Sequence, residues 1–411
     1  MQYMELIENT KHRHNLIGDE PVVFHCHHFN LYLQQTVLDA ENFGDTRSIL
    51  SKSALGVFYN SLKTLKKIPD SPEERKKLFE EIYKMNGYGL LDLSKVNENG
   101  GRVKQKESHF CRGYLLRSPR KASEPQCFFT TGAISAALSF TYDKKPGDYI
   151  VKTTKCIATG GDECEYEIEL GKNFVEKSFG FRNSKMVEVD FDGKWGNINP
   201  YKVYDALSKL KIVGNDKGLI PAFGVLLTNM YANWYNEISF KTAELIKNQT
   251  KDNLAQDLFI ESGHVCAFNT FGGIMESPEW DAVVKPMIKT REDWIYGIIA
   301  VVNCLGWGTW LVEELVPEKY IRVRAYNHYE TIGFESKYNQ STDTTCWLFT
   351  GAVAGTMNLL YKGDITKKPD LNTEFYVYLF RQGKMFFGKE LKCRSQGENY
   401  CVVEAEWGER K

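Results

Sequence analysis

The chain has 411 residues, 42% of them hydrophobic and 26% charged, with 52 Lys and Arg against 53 Asp and Glu. A net charge of −1 with the two signs interspersed leaves no concentrated basic face, so no nucleic-acid partner is expected. Single cores rarely grow past about 250–300 residues, so this length asks for two.

The segment Met1–Leu6 has no basic stretch followed by an apolar one, so no secretory signal is expected and the chain reads as cytoplasmic. Ten cysteines in such a chain read as thiols or thiolates rather than a disulfide framework. The strand-like run Pro21–Phe24 leads into His25-Cys26-His27-His28. If the strand continued, His25 and His27 would share a face as a pair of metal ligands, with His109 as a third. The other reading is a polar local surface.

Apolar residues fall at helical spacing over 48–65 and 78–93, and Ser71-Pro72-Glu73-Glu74 makes a helix start. Strand-like text follows over 102–117, then a small-residue helix over 128–142 and a hairpin of 149–156 with 163–170. Residues 171–215 read as a polar connector with some strand content. Helical text resumes over 226–246, 253–273 and 294–315. It is followed by a strand over 320–325, a small-residue helix over 346–360, and a last hairpin of 374–393 with 401–407. The stretch from Trp294 to Val312 carries no charge over 19 residues. Its Asn303, Cys304, glycines and acidic flanks favour a buried helix over a membrane span.

Landmarks recur in the same order. His109 precedes Cys127 by 18 residues, as His328 precedes Cys346. Each cysteine opens a run with Thr-Gly-Ala, at Thr131-Gly132-Ala133 and Thr350-Gly351-Ala352. Cys156 and Cys164 flank a turn with the same spacing as Cys393 and Cys401. The chain therefore divides into a first domain over 1–170, the connector over 171–215 and a second domain over 216–411. The expected fold is α+β: two tandem repeats, each with helices, an antiparallel sheet and a cysteine-bearing closing hairpin. The second copy is longer between Cys346 and Cys393, which places an insertion around 361–372.

Three thiols per copy argue for a metal, and zinc takes four such ligands in a tetrahedron. Cys346, Glu390, Cys393 and Cys401 make a complete closed set. In the first copy Cys127, Cys156 and Cys164 lack a fourth partner, because Thr153 stands where Glu390 would be. Asp162, Glu163, another residue or water could complete that set. Buried free cysteines are the plain alternative for both, and Cys111, Cys266 and Cys304 find no partner by spacing.

The segments Ser123-Glu-Pro-Gln-Cys127, Lys152-Thr-Thr-Lys-Cys156 through Cys164, and Glu390-Leu-Lys-Cys393 through Cys401 resemble the 4-vinyl reductase domain family. That family includes the aromatic-sensing modules of phenol- and xylene-responsive activators, with a fold like that of the vesicle-tethering transport-particle subunits. The resemblance implies zinc held by three cysteines and a glutamate beside a buried pocket for small aromatic or hydrocarbon molecules. It also implies dimer-like pairing, here within one chain as a pseudo-dimer, the molecule being either a monomer or a homodimer. His109, His328, Trp307 and Tyr326 are the residues expected around such a ligand. There is no GxxxxGK[ST] loop and no GxGxxG after a strand. The expected function is binding of a small hydrophobic or aromatic metabolite. The alternative is a metalloenzyme using a redox metal at His25 and His27.

Overall fold

The computed structural model describes residues 6–9, 14–118, 120–172, 186–210, 212–250 and 254–409. Two β-to-α units build the centre. The strand Glu20–Cys26 runs into the helix His27–Asp39, and the strand Val225–Tyr231 runs into the helix Ala232–Lys247. The strands pair antiparallel with Phe24 opposite Asn229, Cys26 opposite Leu227 and Val22 opposite Tyr231. Cys26 and Tyr231 each precede the first helical residue, so Phe24 and Asn229 are equivalent positions and the pairing is self-complementary. That is the register of an isologous dimer interface, formed here within one chain. Ile220–Ala222 extends this sheet on one side, and His14–Ile17 and Leu6–Asn9 extend it on the other.

Each copy then carries its own antiparallel sheet in the same order. In the first the order is Gly89–Asp92, Gly100–Ser108, Cys164–Leu170, Tyr149–Lys155. In the second it is Thr309–Val316, Tyr320–Tyr326, Cys401–Gly408, Met385–Lys392. The small-residue helices Phe128–Thr141 and Trp347–Met357 lie against Thr46–Lys63 and Leu254–Cys266. Their glycines explain the repeated Thr-Gly-Ala. A Cβ on Gly132 would sit 2.0 Å from the Ser51 carbonyl oxygen, and one on Gly351 would sit 1.9 Å from that of Ile260. Only a residue without a side chain lets the helices approach so closely.

The helix start at Ser71 is as expected: its hydroxyl accepts from the Glu74 N–H at 3.2 Å and donates back to the Glu74 carboxylate at 2.9 Å. Five expectations need correction. The helical text over 78–93 ends at Met85, and the chain then turns into the strand Gly89–Asp92. The strand expected over 102–117 ends at Ser108, whose hydroxyl accepts from the Cys111 N–H at 3.4 Å and starts the helix His109–Arg117. The helix expected from 226 begins only at Ala232, after the central strand. The apolar stretch from Trp294 breaks after the helix Asp293–Val302, because Gly306 (φ +83°) and Gly308 (φ +104°) turn the chain into the strand Thr309–Val316. The last hairpin's first arm is Met385–Lys392. The text before it forms the helix Thr373–Arg381, capped by Asn372, whose side chain accepts from the Phe375 N–H at 2.9 Å. Among the described residues, no helix is long and apolar enough to cross a membrane. The connector includes the helix Pro200–Ser208, and residues 173–185 of it lie outside the described residues.

Candidate metal centres

In the first copy four thiols meet at one buried point. Cys127 stands directly before the small-residue helix, Cys156 follows the strand Tyr149–Lys155, and Cys164 begins the strand Cys164–Leu170. The fourth is Cys111, carried by the helix His109–Arg117. Its Sγ lies 3.6 Å from Cys127, 3.5 Å from Cys156 and 3.6 Å from Cys164. Cys127 lies 3.5 Å from Cys156 and 3.7 Å from Cys164. A tetrahedron with metal–sulfur bonds of about 2.3 Å has edges of about 3.8 Å, so the four sulfurs already stand at the corners a metal ion needs. Cys111 was without a partner by sequence spacing, and this arrangement corrects that. The missed signal was register: Cys111 follows His109 by two residues, as Glu330 follows His328, so both copies place a metal-type ligand there.

The second copy gathers Cys346, Glu390, Cys393 and Cys401, with ligand atoms all within 4.8 Å of one another. Cys346 Sγ lies 3.4 Å from Cys401 Sγ. Glu390 accepts the Cys346 N–H through Oε2 at 3.0 Å, while its Oε1 is buried with no partner among the described residues. A buried oxygen left unpaired is costly unless a cation takes it. Burial and the neighbouring Cys393 thiolate push the Glu390 carboxyl well above the usual range. A divalent ion would reverse that balance and allow carboxylate and thiolates to be ionised together. The residues therefore fit a metal in both copies.

The hairpin turns are matched as well. The Ile157 N–H donates to Cys164 Sγ at 3.3 Å, and the Arg394 N–H donates to Cys401 Sγ at 3.4 Å. Such N–H donors orient thiolate ligands and neutralise part of their charge. The Cys156 thiol is pushed down by its contacts to Cys111, Cys127 and Cys164, and the Cys393 thiol by its contacts to Cys346 and Cys401. Each set offers four donors, all from protein side chains.

Glu330 belongs to a further group with His328 and Cys346. Its carboxylate accepts the N–H groups of Leu348 and Phe349 at 3.1 and 3.2 Å, capping the helix that Cys346 opens. It also faces His328 Nε2 at 3.0 Å, so that nitrogen donates to it. His328 Nδ1 lies 3.0 Å from the Trp307 carbonyl and 3.4 Å from Trp310 Nε1. The second centre is thus joined through two hydrogen-bonded side chains to a buried aromatic interior.

His25 lies in that interior. Its ring stacks on Phe29 at 4.1 Å and on Trp307 at 4.4 Å, with Nδ1 3.6 Å from Cys266 Sγ and Nε2 3.5 Å from the Tyr329 hydroxyl. The strand ends at Cys26, so His27 begins a helix and does not share a strand face with His25. His27 Nδ1 accepts the Leu226 N–H at 3.2 Å. The ligand atoms of His25, His27 and His109 are not gathered within 4.8 Å as a set. His109 is wholly buried. Its Nε2 accepts from Asn30 at 2.9 Å, Asn30 in turn is held by Thr228 and Tyr235, and burial pushes the imidazole down to about 3. Trp307 stacks on His25 in that interior. Tyr326 does not, because strand alternation turns it to the Arg322 and Arg324 face, where its ring meets Tyr400 at 5.2 Å. Cys304 is half-buried and Cys266 buried.

No family model matches the chain, and no curated protein matches it in sequence. Among solved structures the chain is similar to the phenol-responsive sensory domain of the transcription activator PoxR, crystallised with phenol. The match has 14% identity and a TM-score of 0.34, and it covers 49% of this chain and 88% of that one.

Proposed function

We propose that the chain is a tandem zinc-stabilised binding protein for a small aromatic metabolite, with residues 1–170 and 216–411 as its two units and 171–215 as the connector. The observation that supports the zinc reading is the pair of residue sets at equivalent places, each offering four protein donors of which three or four are cysteine sulfurs. A closed set leaves no position for substrate, so the metals hold the hairpin, the helix start and the sheet together rather than act on a bound molecule.

The ligand reading rests on the interior beside the second centre. Trp307, Phe29, Tyr235 and Tyr329 form a flat slot with polar edges, and His25 lies in it as a planar ring. The open volume beside it, lined by Phe29, Tyr235, Tyr329 and Glu330, is about 10 Å³, so a phenol-sized molecule enters only as His25 swings out. His328 and Glu330 then couple the slot to the helix start at Cys346.

The test is tryptophan fluorescence of the zinc-loaded protein titrated with phenol. Saturable quenching is expected, lost in Trp307→Leu. The His25→Ala variant, with the slot cleared, should bind about tenfold tighter while losing about 3 kcal/mol of stability from the cavity left behind. An unchanged signal up to millimolar phenol in both proteins would contradict the reading.

A further inference from the structure

A groove on the outer face of the second copy carries chemistry that the first copy lacks. Both copies have a groove here, between the helix that packs on the small-residue helix and the edge strand of the hairpin. In the first it is about 230 Å³ and lined by Ser51, Lys52, Leu55 and Val151 among others. The register of Ser53 with Ser262 puts Glu261 where the first copy has Lys52, and His264 where it has Leu55. The second groove is about 480 Å³, within the range of small-molecule sites.

The extra chain of the second copy, expected over 361–372, extends through the whole segment between Met357 and Met385, and it lands on this groove. Its helix Thr373–Arg381 brings Phe380 flat against His264, ring centres 5.0 Å apart, and points Tyr376 and Arg381 at Glu261 Oε1, Arg381 at 2.7 Å. The other oxygen, Oε2, faces His264 Nδ1 at 3.1 Å. Burial pushes the Glu261 carboxyl up, but its bonds to His264 and Tyr376 and the charge of Arg381 outweigh that and keep it ionised. An ionised carboxylate only accepts, so Nδ1 carries a proton toward it. His264 is 7% exposed, and its Nε2 has no partner among the described residues. A buried ring nitrogen left unpartnered on the wall of a groove asks for a polar partner from the ligand. Phe380, Phe387, Met385 and Trp407 supply an apolar floor, and the rim carries Asp257, Glu406 and Glu409 against Lys389.

We propose that this groove binds a small organic cation, an ammonium group on an aromatic-sized apolar body. Its N–H donates to His264 Nε2, its charge faces the Asp257 and Glu406 carboxylates, and its ring lies on Phe387 and Trp407. The site is separate from the aromatic interior, and it stands whether or not that interior binds anything.

The experiment is isothermal titration calorimetry of the metal-loaded full chain with 2-phenylethylamine, and with 3-phenylpropionate as the anion of similar shape. The amine is expected to bind and the carboxylate not. His264→Leu, which installs the first copy's residue, should weaken the amine about tenfold, the worth of one hydrogen bond to a charged group. Asp257→Asn/Glu406→Gln changes two exposed side chains outside the core and should weaken it several-fold, so the test survives if His264→Leu folds poorly. Equal binding of amine and carboxylate, no binding of the amine, or affinity unmoved in the Asp257/Glu406 variant would overturn the assignment.

Discussion

The two candidate metal centres each have three cysteines at equivalent places and differ in where the fourth donor comes from. In the first copy it is Cys111, on the helix that follows the central strand of the sheet; in the second it is Glu390, on the edge strand of the hairpin. The unused place is refilled in each. Thr153 occupies the hairpin position of the first copy, and Glu330 occupies the helix position of the second, where it caps the Cys346 helix and holds His328. The scaffold fixes three corners of a tetrahedron and offers two routes to the fourth. Taking the hairpin route frees the helix position to connect the candidate centre to the aromatic interior. The first copy cannot make that connection, because its helix position carries Cys111, the fourth member of the thiol set.

The largest expected effect comes from metal removal. Structural zinc contributes on the order of 10 kcal/mol in small domains, and here stripping it leaves clustered buried thiols and an unpaired Glu390 oxygen. Exhaustive chelation should therefore abolish the cooperative thermal transition, or lower its midpoint by more than about 10 °C. An unchanged melt would show that the cysteines are simply core.

A ligand transplant sharpens the contrast. Cys111→Ala should empty the first centre, and adding Thr153→Glu should refill it from the hairpin, recovering most of the lost midpoint. Failure of the double variant to regain metal would mean that the two routes are not interchangeable.

The copies also differ in histidine. Burial, with the charges of His28 and His109 adding to it for His27, holds His27 down to about 2 and His109 down to about 3. Both are near 6.5 in the unfolded chain, so below that pH the unfolded state takes up protons that the folded state refuses. Stability is then intact above about pH 6.5 and falls as the pH drops, by about 1.4 kcal/mol per pH unit for each of the two. Urea unfolding at pH 7.5 and 5.5 reads this, and His27→Leu should flatten the slope by one histidine's share. The smallest effect is Thr153→Ala in the otherwise native chain, expected to leave metal content unchanged and stability within about 0.5 kcal/mol, whereas Glu390→Ala empties the second centre.

Much of this was legible in the sequence because duplication doubles every signal. The paired His, Cys, Thr-Gly-Ala and hairpin cysteines located both centres, and the Cys346, Glu390, Cys393, Cys401 set is assembled as read. Cys111 was hidden because residues 102–117 alternate like a strand, while Ser108 caps a helix partway along; cap chemistry outweighed periodicity. The central pairing of Glu20–Cys26 with Val225–Tyr231 was masked because the second strand's apolar text runs unbroken into a helix. Glu261 and His264 pair locally at i,i+3, but the Tyr376, Phe380 and Arg381 contacts around them come from a helix more than a hundred residues downstream, which no local pattern reports.

The most direct test is metal content by plasma mass spectrometry on untagged, chelator-free protein, comparing the native chain with Cys111→Ser and Glu390→Ala. About two zincs per chain are expected for the native protein and about one for each variant. Two in Cys111→Ser, or none in the native chain, would contradict a scaffold that completes each centre by its own route.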